Sequence, residues 1–221
     1  MCMLKLKITL LYSNVILFFR NVKEKQFMEK LSITAIILAG GKSTRMNGKD
    51  KGLLLLNQKP LYQHVIDRIK PQTDSIMINC NNNVSQYQTA GYPVFSDVLT
   101  GYFGPLSGIY SGLLYSTTDW NLFVSCDTPF LPNDLIARLA VHTLTHTAIY
   151  PIDGKYHHPT ILLIHKSVIQ QVRSYLEQGN RKLILFLEQI NAKWVDFNDQ
   201  ASCFININTP KELKQVNQLT K

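Results

Sequence analysis

ITAIILAGGKSTRMNGKDKG, residues 33–52, is the stretch that decides the fold. Ile33–Ala39 is a continuous apolar run that stops at two glycines. A run this short and unalternating reads as a parallel strand buried on both faces. Gly40 and Gly41 let backbone N–H groups approach an anion with no Cβ in the way. Lys42, Arg45, Lys49 and Lys51 follow, enough positive charge for several phosphates. The loop is neither the GxxxxGK(S/T) of a P-loop nor a GxGxxG turn. Taken alone it is also compatible with a basic surface turn.

Outward from this strand, helix-like and strand-like segments alternate. Pro60–Lys70 carries Leu61, Val65, Ile66 and Ile69 at helical spacing behind a proline suited to a first turn. Strands are expected at Ser75–Asn79, Tyr92–Phe95 and Trp120–Cys126, and helices at Leu106–Tyr115 and Pro132–Leu144. Thr147–Ile152 and Thr160–His165 read as strands with Asp153-Gly154 as a turn signal between them. Helices at Ser167–Glu177 and Arg181–Ile190, a strand at Lys193–Phe197 and a helix at Pro210–Gln218 complete the chain. No repeat or linker interrupts the pattern. It predicts an α/β fold over residues 31–221: a single doubly wound, mostly parallel sheet with helices on both faces. Ligands of such sheets bind beyond the carboxyl ends of the strands. The segments 40–52, 79–83, 97–108 and 126–132 lie there, and they hold most of the glycine, asparagine and acidic residues of the N-terminal half.

The 221 residues carry a formal charge of +8, unevenly placed. Residues 1–30 hold +4, the ten residues 42–51 hold +3, and the other 181 residues carry about +1. A nucleic-acid-binding surface would spread Lys and Arg along a face, so no nucleic-acid partner is expected. Cys2, Cys80, Cys126 and Cys203 lie far apart, without a CxxC pair or a His/Cys cluster, which argues against a disulfide framework and a zinc site and favours the cytoplasm. The apolar stretch Ile8–Phe19 is too short to span a bilayer, and no small-residue cleavage site follows it, so no stable membrane insertion is expected. Residues 1–30 are read as an N-terminal extension and Met28 as the alternative start. Mass spectrometry of the native N-terminus tests this, because an abundant peptide beginning at Met1 would contradict it.

Several separated segments together carry a resemblance. LAGGKSTRM with DKG (38–52), DKGLLLLNQKPLYQHV (50–65), DVLTGYFGPLSGIYSGL (97–113), CDTPFLPNDL (126–135), HPT (158–160) and NINTP (206–210) occur in an order and spacing that resemble the molybdenum cofactor guanylyltransferases. The resemblance runs from about Ile33 to Leu213. It implies a Rossmann-like nucleotidyltransferase fold and transfer of GMP from GTP to the phosphate of molybdopterin. Mg²⁺ is the implied cofactor, pyrophosphate the second product, and molybdoenzyme apo-proteins or their chaperones the implied recipients. Two other readings stand beside it: a cytidylyltransferase of the same fold, and a non-catalytic nucleotide or molybdenum-cofactor carrier.

Asp127 ends an apolar strand, where a carboxylate is costly to bury unpaired, and it suits Mg²⁺ as a hard oxygen ligand. A turn or helix-cap role before Pro129 is the structural alternative. Arg45 and Lys51 are the candidates for triphosphate binding and catalysis. Asp50 either orients Lys51, serves a metal indirectly, or is a solvated ion-pair partner. By resemblance, Leu38, Ala39 and Gly40 hold the guanine and ribose through backbone groups, with Asn79 and Asp97 as further nucleotide contacts. An Asx-turn is the alternative for Asn79, and turn geometry alone explains Gly101, Gly104 and Gly108. Asn206 and Asn208, alternating with Ile205 and Ile207, are expected on one strand face. With Arg181 and Lys182 they are acceptor-binding candidates by resemblance; a helix cap and a surface pair are the respective alternatives. His158 is either a ligand or a hydrogen-bonded structural residue. Two positions depart from the family pattern, Asn47 where glycine is common and His157 where an acidic residue occurs.

Overall fold

The apolar run forms β1, Ile33–Leu38, whose Ala35, Ile36 and Ile37 are fully buried. Because alternate strand residues point to opposite faces, three consecutive buried residues require a covered sheet on both sides. The computed structural model describes residues 31–40, 50–101 and 104–219. The chain divides into the units Met1–Leu31 and Ser32–Lys221, and every element below lies in the second.

The elements follow in chain order. A minimal hairpin, β2 (Leu55–Leu56) and β3 (Lys59–Pro60), leads into α1 (Leu61–Ile69). Next come β4 (Ser75–Asn79), α2 (Val84–Gln88), β5 (Val94–Phe95), α3 (Pro105–Tyr115) and β6 (Trp120–Ser125). The second half runs α4 (Leu135–Ala140), β7 (Ala148–Ile152), β8 (Leu162–His165), α5 (Ile169–Glu177), α6 (Leu183–Gln189), β9 (Lys193–Asp196) and α7 (Pro210–Leu219).

The seven-stranded sheet has the order β5-β4-β1-β6-β8-β7-β9. β1 lies between β4 and β6, parallel to both, with Leu38 level with Asn79 on one side and Ser125 on the other. β8 is antiparallel to β6 and β7, and β7–β9 is parallel again, so β8 alone among these strands is reversed. The sheet is thus mostly parallel, as the sequence predicts. Asp153-Gly154 does turn the chain between β7 and β8, with Gly154 at φ +82°. One apolar cluster joins Ile36 and Phe123 to Leu106, Ile109 and Leu113 of α3 and to Val172, Leu176 and Phe186 of α5 and α6. On the amphipathic α1, Leu61, Tyr62, Val65, Ile66 and Ile69 are buried.

Two expectations need correction, and one element was unforeseen. The helix expected over Pro132–Leu144 is confined to Leu135–Ala140 and gives way to turns near His142 and Thr143. Residues 205–208 form no strand; their backbone meets the Asp127 segment through the Ile207 N–H to Asp127 carbonyl bond, 2.9 Å. The β2–β3 hairpin was not foreseen because its turn residues, Asn57 and Gln58, take φ of 48° and 65° without the glycine that usually marks such a turn.

Candidate active site

The carboxyl ends of β1, β4, β5 and β6 lie side by side, and the backbone binds them together just beyond the ladder. Ala39 N–H donates to the Asn79 carbonyl (2.8 Å), Cys126 N–H to Leu38 (3.1 Å) and Cys80 N–H to Phe95 (2.9 Å). Three groups of side chains stand on this edge.

The first gathers around Asp127, only 7% exposed. Its Oδ1 accepts the Ser125 hydroxyl at 2.5 Å, and its Oδ2 accepts Lys51 Nζ at 3.1 Å. Lys51 Nζ also donates to Asn208 Oδ1 at 2.7 Å. The neighbouring Thr128, fully buried, donates its hydroxyl to Asn206 Oδ1 at 2.7 Å. Asn206 and Asn208, expected on one strand face, instead meet the Asp127 segment from an irregular segment, one directly on Thr128 and one through Lys51. The helix-cap role proposed against them belongs elsewhere. Thr209 and Glu212 form a capping box, with Glu212 N–H on Thr209 Oγ1 (3.2 Å) and Glu212 Oε2 accepting the N–H groups of Asn208 (2.7 Å) and Thr209 (3.1 Å).

The second group surrounds Asp97. Asn79, 2% exposed, donates Nδ2 to Asp97 Oδ1 at 2.9 Å. Asn81 donates Nδ2 to Asp97 Oδ2 (3.0 Å) and to the Gly40 carbonyl (3.3 Å). Its Oδ1 accepts the Asp97 N–H at 2.9 Å. One amide therefore locks the ends of β1, β4 and β5 together. Its only sequence signal was an asparagine two positions past a strand end. Asn81 and Asp97 line an open cleft of about 200 Å³ with Leu99, Thr100 and Gly101.

These asparagines revise the reasons given for two glycines. A Cβ on Gly40 would lie 2.9 Å from Asn81 Nδ2 and 3.3 Å from Asn79 Oδ1, so Gly40 makes room for amides as well as for a ligand. Gly108 lies inside α3, not in a turn, and a Cβ there would come within 2.6 Å of Asn79 Oδ1 and 2.8 Å of Leu38 Cδ2. Gly108→Ala is expected to destabilise the fold by about 1–3 kcal/mol through overpacking. Denaturant unfolding measures this, and unchanged stability would mean that Asn79 gives way freely. Gly101 and Gly104, at φ 121° and 71°, keep the conformational role assigned to them.

The third group holds Asp50, whose Oδ1 accepts the Gly52 N–H (3.1 Å) and the Tyr87 hydroxyl (2.6 Å) while Oδ2 accepts Asn83 Nδ2 (3.1 Å). Asp50 caps the single 3₁₀ turn Lys51–Leu53 and is no solvated partner of Lys51.

The remaining candidates fall as follows. The hydrogen bonds above already occupy the Leu38 carbonyl, the Ala39 N–H and the Gly40 carbonyl, leaving the Ala39 carbonyl and the Gly40 N–H without a protein partner among the described residues. Arg45, Lys42 and Lys49 lie outside the described residues. Arg181 and Lys182 sit at the α5–α6 corner. Arg181 Nη1 donates to the Leu176 (2.8 Å) and Asn180 (2.6 Å) carbonyls, and the Lys182 carbonyl accepts the Tyr175 hydroxyl. Those bonds close the end of α5 and do not reach Asp127. His158 pairs with Asp153 at 3.1 Å and stacks on Phe204, a structural arrangement, while His157 Nδ1 meets the Tyr150 hydroxyl at 3.0 Å. Burial, followed by the charge of adjacent Asp127, pushes the Cys126 thiol far up, which removes it as a nucleophile. Among the described residues no cluster of three His, Cys, Asp or Glu side chains is placed to hold a metal, and no helix is long and apolar enough to cross a membrane.

With the sheet order and this edge in place, residues 35–191 match the family described as the MobA-like NTP transferase domain. The chain belongs to that family. Among MobA-like relatives, a molybdenum cofactor guanylyltransferase of Yersinia pseudotuberculosis is 48% identical over 181 residues, covering 82% of this chain and 93% of that protein. One from Yersinia pestis has the same identity and coverage. Of solved structures, the molybdopterin-guanine dinucleotide biosynthesis protein A of Archaeoglobus fulgidus superposes with a TM-score of 0.71 at 22% identity, over 85% of this chain and 98% of that one. The 4-diphosphocytidyl-2C-methyl-D-erythritol synthase of Anaerococcus prevotii gives 0.66 at 14% identity, over 87% and 97%. At these identities the structural likeness concerns the MobA-like fold alone.

Proposed function

We propose that this chain transfers GMP from GTP to the phosphate of molybdopterin, giving molybdopterin guanine dinucleotide and pyrophosphate. The observation that carries the reading is the Lys51–Asp127–Asn208 group at the strand ends of a MobA-like domain whose 48% identical relatives are named molybdenum cofactor guanylyltransferases. An acceptor phosphate oxygen bonds to the α-phosphorus of GTP as the bond from that phosphorus to the β-phosphate oxygen breaks, and pyrophosphate leaves. Such a transfer asks the protein for alignment and for neutralisation of spreading negative charge, with no nucleophilic side chain.

Lys51 supplies a compact positive charge whose direction is fixed by two acceptors, one of them a carboxylate. Asn79, Asn81 and Asp97 hold a fixed array of donors and acceptors for base and sugar, beside the backbone of Ala39 and Gly40. Asp127 is the proposed Mg²⁺ ligand. Its chemistry fits: each carboxylate oxygen holds one protein hydrogen bond, so lone pairs remain, and Mg²⁺ is commonly held by one or two carboxylates together with substrate phosphates and water. Bound there, Mg²⁺ would supply neutralisation of charge on the phosphate oxygens. The acceptor side, with Asn206, Arg181 and Lys182 as its candidates, and the cytoplasmic setting belong to the same proposal.

The test uses the full chain with molybdopterin, Mg²⁺ and each nucleoside triphosphate in turn, reading pyrophosphate. Release with GTP, dependent on both Mg²⁺ and molybdopterin, is the expected result. Equal release with CTP would transfer the assignment to a cytidylyltransferase, and no release with any nucleotide would leave only a carrier.

A further inference from the structure

Lys51 belongs to a very short element, a single 3₁₀ turn, and such a turn has little stiffness of its own. Its direction must come from outside. Three side chains provide that. Asp50, immediately before Lys51, accepts the Gly52 N–H immediately after it, so one carboxylate oxygen bridges the two residues flanking the lysine. The same oxygen accepts the Tyr87 hydroxyl at 2.6 Å, and the other oxygen accepts the Asn83 amide.

Tyr87 is fixed in turn. It is fully buried, its ring meets Tyr62 edge-on at 4.8 Å, and it belongs to α2, which is preceded by Asn83 in a left-handed conformation, φ 54°. Burial, reinforced by nearby groups including the hydrogen bond to Asp50, drives its ionisation far up, so its proton stays in place to be donated. Gly52 completes the fit, because a Cβ there would run into the Tyr87 hydroxyl.

We infer that Asp50, Tyr87 and Asn83 are positioning residues that mount the Lys51 turn on the packed end of β4 and α2, and that Asp50 acts through its acceptor geometry and not through its charge on a metal or phosphate. This rests on the reading of Lys51 as a GTP ligand. Three donors already converge on the Asp50 carboxylate, and its direct partners are Gly52, Tyr87 and Asn83. An asparagine at that position keeps an acceptor oxygen for Gly52 and Tyr87, and Asn83 can turn its amide over to match.

The experiment is a double-mutant cycle on GTP affinity, measured by titration calorimetry with Mg²⁺ and no acceptor. In the native background Asp50→Ala is expected to weaken GTP about tenfold and Tyr87→Phe about threefold, and both losses shrink below about twofold when Lys51 is already Met. Asp50→Asn is expected to stay within about threefold of the native protein. A merely structural role would give equal losses in both backgrounds, which overturns the inference, as does an Asp50→Asn loss equal to that of Asp50→Ala. If Asp50→Ala fails to fold by thermal melting, Tyr87→Phe, which removes one oxygen from an otherwise intact ring, carries the cycle. Native protein that binds no GTP overturns the nucleotide reading and this inference with it. Additive losses in native protein that does bind overturn the inference alone.

Discussion

Asp127→Ala is expected to lower kcat by about a thousandfold or more while weakening GTP by less than about tenfold, because the carboxylate acts on charge that develops during transfer. The geometry makes this split specific. When the Asp127 carboxylate is removed, Lys51 keeps Asn208 at 2.7 Å, so the cation proposed to meet the triphosphate stays in place. Asp127→Asn sharpens the test: its amide oxygen can accept Lys51 while its NH2 donates to the Ser125 hydroxyl, so both contacts survive while the charge is lost, and it is expected to be nearly as slow as Asp127→Ala. Single-turnover rates beside calorimetric GTP affinities measure the two quantities. An asparagine variant within about tenfold of native kcat would mean that Asp127 only shapes the site.

Lys51→Met is expected to lower kcat/KM for GTP by about a hundredfold or more, with the loss divided between binding and turnover. The thioether stem fills the volume of the lysine but carries no donor, so Asp127 Oδ2 and Asn208 Oδ1 both lose a partner. Lys51→Arg is not expected to restore activity. One ammonium nitrogen satisfies acceptors at 3.1 and 2.7 Å, whereas a planar guanidinium fork is longer and suits two oxygens of one group. Steady-state kinetics with GTP and molybdopterin decides this, and an arginine variant with native kcat/KM would show that only the charge matters.

What was legible in the sequence was whatever a local pattern specifies. Ile33–Ala39 had to be a strand buried on both faces because it is apolar throughout, and Ser75–Asn79 matches its predicted bounds to the residue. That the candidate residues Asn79, Asp97 and Asp127 gather at one edge of the sheet followed from strand direction alone. The failures lie where the outcome depends on a distant partner. The Asn57-Gln58 turn is stabilised by the hairpin it closes and by α7, whose Asn217 Oδ1 accepts the Asn57 N–H at 2.7 Å. Asn81 gains its role only when the ends of three strands meet, and no spacing along the chain announces that. Gly108 is small because of Asn79, 29 positions earlier. Asn206 and Asn208 alternate as a strand would, yet among the described residues no strand pairs with them.

The hydrogen bond from Lys51 to Asn208 spans 157 positions of chain. At a ribosomal rate of 5–20 residues per second, roughly 8–30 seconds pass between synthesis of the two residues. Asn81, Tyr87 and Asp97 are all made early in that interval, whereas the amide that completes the lysine's surroundings is made only at its close. Translation order thus leaves the lysine without its second acceptor until Asn208 is made.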